Sequence, residues 1–158
     1  MDVTAQTVTP CDCRGFIDND HDGLIALYDK PAGKIIRRIK NDLKNEDYLI
    51  FDITKVADSF FYVKMKYDAN EKIYEGWISK SKYLVTYVQD YNRDVSLYSK
   101  PNTTSAVTRK VVKNSSGIFQ VMDCNGNWVY LKENTKPAKA AGWLQSDKQC
   151  ANPYTNCN

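Results

Sequence analysis

Histidine is almost absent, with His21 the only one among 158 residues. A serine or cysteine nucleophile that needs a paired imidazole therefore has one possible base, and it sits in a polar stretch between Asp20 and Asp22. Long apolar runs are missing too. None approaches the roughly 20 residues that cross a bilayer, and Met1-Asp2 opens without the basic start and apolar stretch of a signal peptide. There is no glycine-rich phosphate loop. Nor is there an excess of one charge: 22 basic residues against 19 acidic ones leave a net +3, which argues against a dedicated nucleic-acid binder. No cofactor is implied, and neither a nucleic-acid partner nor a membrane span is expected.

What is plentiful is tyrosine, at eleven residues against five phenylalanines. An apolar ring with a wet tip suits half-buried strands and binding surfaces. Five cysteines are also present. Cys150 and Cys157 bracket the polar tail CANPYTNC and are expected to form a disulfide, which points to an oxidising compartment. The expected location is periplasmic, cell-surface or secreted, with a leader already removed. The pairing of Cys11, Cys13 and Cys124 stays open. Cys11, Cys13 and His21 lack the paired spacing of structural zinc sites.

An internal repeat organises the chain. LYDKP (27–31), FFYVKMKY (60–67) and EGWISKS (75–81) recur in order as LYSKP (97–101), NWVYLKE (127–133) and AGWLQSD (141–147). Between these landmarks lie strand-like segments such as DYLIFDIT (47–54) and GIFQVMD (117–123), separated by Gly, Pro and Asn turns. KIIRRIK (34–40) reads as a strand by its place in the repeat. Phe61, Val63 and Met65 fall on one face of their strand, and Lys64 and Lys66 on the other.

DNDHDG (18–23) matches the start of a calcium loop, with Asp18, Asp20, Asp22 and, at the twelfth position, Asp29 as candidate ligands. Pro10, Gly15, Pro31 and Gly33 forbid long flanking helices. The second repeat has VQDYNR at the equivalent place. The stretch is therefore read as a polar turn with no metal, Gly23 taking a positive φ.

At these landmarks the chain resembles the bacterial SH3-like (SH3b) family, in tandem. LYSKP, Trp128-Val129-Tyr130-Leu131 and Gly142-Trp143-Leu144 fit the pattern, while Phe60-Phe61-Tyr62-Val63 departs from it in the first copy. ALYDK (26–30) is also similar to the ALYDY motif of eukaryotic SH3 domains, but Ser79 replaces their groove proline. The resemblance implies an all-β fold of two tandem SH3-like barrels with a disulfide-tied tail. Residues 1–16 form an N-terminal segment, 17–86 and 87–147 the barrels, and 148–158 the tail, with 85–94 linking the barrels. Trp77 and Trp143 are expected in the cores. The implied function is a non-catalytic, extracytoplasmic binding module for a cell-wall polymer (peptidoglycan) or a peptide. The alternative is a protein-interaction subunit, an inhibitor or assembly partner of an envelope protein. An enzyme is not expected. Tyr62, Tyr67, Tyr83, Tyr87, Tyr91 and Tyr130 are the candidate ligand contacts.

Overall fold

The computed structural model describes residues 6–88, 90, 92–113, 117–134 and 140–152. They form thirteen strands and two single-turn 3₁₀ helices, at Leu43–Asn45 and Ser146–Lys148. The first seven strands are β1 (Thr9–Ile17), β2 (Ile25–Tyr28), β3 (Ile35–Ile39), β4 (Leu49–Ala57), β5 (Phe60–Tyr67), β6 (Tyr74–Ser79) and β7 (Leu84–Val88). Then follow β8 (Val95–Tyr98), β9 (Val107–Val111), β10 (Gly117–Asn125), β11 (Trp128–Glu133), β12 (Ala141–Gln145) and β13 (Gln149–Cys150).

All belong to one open antiparallel sheet, in the order β3-β2-β6-β5-β4-β1-β7-β10-β11-β12-β8-β9, with β13 also on β7. This corrects the expectation of two separate SH3-like barrels. The order is a palindrome about β1 and β7, which is how the repeat is expressed. Tyr28 opposite Trp77 in the first half is matched by Tyr98 opposite Trp143 in the second. The physical reason for one sheet lies in the two segments taken as an N-terminal segment and a linker. β1 pairs with β4 along most of its length and places Phe16 opposite Val85 and Ile17 opposite Leu84. β7 then pairs with β10 from Gly117↔Val88 to Gln120↔Val85. The divide drawn at 86/87 falls inside β7.

Alternation decides which residues go inside. In β5, Phe61, Val63 and Met65 are fully buried and Lys64 is exposed. One core cluster draws on both halves, joining Leu27, Ile53 and Phe61 to Leu97, Val121 and Leu131. Trp77 is buried, whereas Trp143 is half-buried against Tyr130, ring centroids 5.2 Å apart. The glycine before each tryptophan marks a close crossing. A Cβ on Gly76 would lie 3.1 Å from Leu27 Cβ and 3.1 Å from the Tyr28 carbonyl oxygen.

Candidate functional site

Among the described residues, a dense group of reactive side chains lies where β1 crosses the β10–β11 turn. Alternation along β1 turns Cys11 and Cys13 inward and Asp12 and Arg14 outward. Cys124 arrives from β10, in the other half. Backbone bonds seat the crossing: Asp12 N–H donates to the Gly126 carbonyl at 2.8 Å, and Gly126 N–H donates to the Pro10 carbonyl at 3.2 Å. Cys11 and Cys124 form a disulfide with their Cα atoms 5.9 Å apart, linking positions separated by 113 residues.

Cys13 is the free thiol beside this disulfide, 1% exposed. Its S–H donates to the Trp128 carbonyl at 3.4 Å. Burial, then the nearby Asp12 charge, pushes its pKa up to about 12, with Asp123 adding in the same direction. The sulfurs of Cys11, Cys13 and Cys124 all lie within 4.8 Å of one another. The arrangement holds one oxidised pair and one reserve thiol. The odd cysteine count and the C-x-C spacing at 11–13 were the available sequence signals. Connectivity itself is not encoded in spacing. Cys150 is also disulfide-bonded, while Cys157, its expected partner, lies outside the described residues.

The residues of the calcium-like stretch serve as turn formers. Asp18 Oδ1 accepts from Asp20 N–H at 3.0 Å, and Asp29 Oδ1 accepts from Lys34 N–H at 2.8 Å, closing a separate turn. Asp20 and Asp22 are exposed. Buried Asn41 holds the loop by donating to the carbonyls of Asp18 (3.0 Å) and His21 (3.4 Å). His21 stacks on Tyr83 with ring centroids 4.0 Å apart. Gly23 does not take the positive φ expected of it; the one such glycine among the described residues is Gly126, at +54°.

Each candidate tyrosine among the described residues has a local partner of its own. Tyr62 donates its hydroxyl to Glu75 at 2.8 Å and packs edge-on to Trp77. Burial, then the Glu75 hydrogen bond, raises its pKa. Tyr67 donates to the Lys40 carbonyl at 2.6 Å, and its pKa is raised first by burial, then by Tyr74. Tyr87 packs on Phe16 and Tyr130 on Trp143. Tyr91 lies outside the described residues.

No family model matches the chain, and no curated protein matches it. The tandem SH3b assignment is therefore corrected, together with the cell-wall and envelope roles that depended on it. Among solved structures, the chain is similar to NlpC2 from Trichomonas vaginalis at 15% identity and a TM-score of 0.38, over 98% of this chain and 53% of that one. It is similar to NlpC1 from Trichomonas vaginalis at 16% identity and a TM-score of 0.39, over 99% of this chain and 51% of that one. The chain spans about half the length of these matches. The expectation of a purely binding, non-catalytic module is corrected as well: the three gathered sulfurs form a group with chemistry of its own.

Proposed function

We propose that the chain is a thiol–disulfide exchange protein centred on Cys11, Cys13 and Cys124. The observation that carries this reading is a reduced sulfur held within 4.8 Å of both sulfurs of a disulfide. Exchange starts when Cys13 loses its proton to solvent. The thiolate attacks Sγ of Cys124, the Cys13–Cys124 bond forms, and the Cys11–Cys124 bond breaks. Cys11 leaves as a thiolate. The number of disulfides is unchanged, so no oxidant or reductant is consumed. Cys11, the most exposed of the three at 9%, then carries the free sulfur at the rim of the site. There it attacks an external disulfide, forming a mixed disulfide and releasing the other half as a thiolate.

The raised pKa of Cys13 sets the pace. With a value of about 12, only about one thiol in 10⁵ is ionised at pH 7, so exchange is slow until the β1–β11 contact opens or the pH rises. Such a centre suits an oxidising compartment. The test is disulfide mapping by mass spectrometry after incubation in glutathione buffer between about pH 7 and pH 10, with acid quench and alkylation. The expected product is a Cys13–Cys124 isomer with Cys11 alkylated, forming faster at higher pH and absent from Cys13→Ser. Finding only Cys11–Cys124, with Cys13 alkylated at every pH, would overturn the reading.

A further inference from the structure

A cleft of about 560 Å³ opens where β1, β4 and β5 meet residues 149–152. Its volume is typical of small-molecule sites, which run from roughly 300 to 1,000 Å³. None of its lining residues is a cysteine; Arg14, next to Cys13 in β1, is where it borders the thiol centre. Three cations line it: Arg14 from β1, and Lys64 and Lys66 from β5. Among the described residues none of them makes an ion pair. Two acids, Asp52 and Glu71, line it as well.

The sheet register decides how these charges balance. Asp52 stands opposite Arg14 on one side and opposite Lys64 on the other, so this carboxylate has a cation across from it on each neighbouring strand. Lys66 stands opposite Ile50 and has no acid across the strand. Ile73, 54% exposed, lines the same cleft. Three cations against two carboxylates leave a surplus of one positive charge, and it lies beside an apolar wall. Arg14 is anchored in addition, because the Gln149 side chain holds both its backbone N–H and its carbonyl.

We propose that this cleft binds an organic anion of small-molecule size, its acidic head on Lys66 and Arg14 and its apolar body on Ile50 and Ile73. An ammonium-bearing ligand is disfavoured because the lining carries more cations than carboxylates. A head group held by a charge-assisted contact depends on that contact, so losing either cation should weaken binding roughly tenfold.

The probe for the test is 8-anilinonaphthalene-1-sulfonate, titrated by fluorescence and calorimetry against the full chain. One saturable site is expected, weakened roughly tenfold in Lys66→Ala and in Arg14→Ala, and unchanged in Lys110→Ala on distant β9. N-phenyl-1-naphthylamine, which keeps the apolar body and lacks the sulfonate, should bind much more weakly. Ligand-free melting curves identify any variant that has lost its fold; if Arg14→Ala is one, Lys66→Ala decides. Wild-type affinity in the folded variants, absence of a saturable site, or equal affinity for the uncharged compound would overturn the proposal.

Discussion

The side-chain amide of Gln149 completes the backbone pairing of Arg14. Its Nε2 donates to the Arg14 carbonyl at 2.6 Å, and its Oε1 accepts from the Arg14 N–H at 3.0 Å. β7 reaches only Phe16 and Ile17 of β1. A glutamine side chain from β13 therefore takes the place of a strand where the strand runs out. Gln149→Leu should destabilise the protein by about 2 kcal/mol, since two backbone groups lose their partner in a partly buried place. Gln149→Glu keeps the acceptor and sets a carboxylate against a carbonyl, so it should recover none of the loss. Urea unfolding of the three proteins measures both.

Cys13 should make stability fall at alkaline pH. Its folded pKa, about 12, lies above its ordinary value of 9.0. Below pH 9 both folded and unfolded chains hold the proton, and the contribution is fully present. Between about 9 and 12 the unfolded chain releases it and the folded chain does not, so unfolding is favoured by up to about 1.4 kcal/mol per pH unit. Wild type compared with Cys13→Ala isolates this slope from other titrating groups. A flat difference between about pH 8 and about pH 10.5, a range that crosses the ordinary thiol value, would show that the thiol is not held protonated.

Asn41 joins the 18–23 loop to β4. Besides its bonds to Asp18 and His21, its Oδ1 accepts from buried Leu49 N–H at 2.9 Å. Asn41→Ala should cost about 2 kcal/mol by orphaning that donor. Amide exchange at Leu49 should accelerate relative to Ile53, which lies further along the same strand.

The two glycines that precede tryptophan should tolerate a methyl group unequally. A Cβ on Gly142 would collide with Thr108 Oγ1 and come within 2.8 Å of Leu97 Cβ, a tighter fit than at Gly76. Gly142→Ala should therefore cost about 1–3 kcal/mol, and Gly76→Ala less. Thermal unfolding of both variants ranks them.

Much of the strand set was legible, because period-two burial leaves a mark. β5 coincides with FFYVKMKY, and β3 is a strand despite its four exposed residues and one buried one. The seam was not legible for a different reason. β1 reads TPCDCRGFI, with a proline, a glycine and two charges in nine residues, a poor match to strand propensity. Its alternation of Cys11, Cys13 and Gly15 with Asp12 and Arg14 was the one cue. The cysteine cluster was hidden because Cys124 reaches Cys11 only once β1 and β10 are brought together in space. Gln149 was hidden because a side chain standing in for backbone has no sequence signature.

The palindromic sheet ends in β3 on one side and β9 on the other, so the molecule has two terminal strands of related sequence position and similar charge. Arg37 and Arg38 stand exposed on β3, and Lys110 stands exposed on β9 beside Arg109, which pairs with Glu133 at 3.2 Å. Exposed Ile35, Ile36 and Val107 would otherwise make these edges adhesive. Bringing the edge of one copy to the edge of another sets cation against cation, whichever ends meet. The same duplication that built a wide sheet thus equips both of its ends against growing into a fibril.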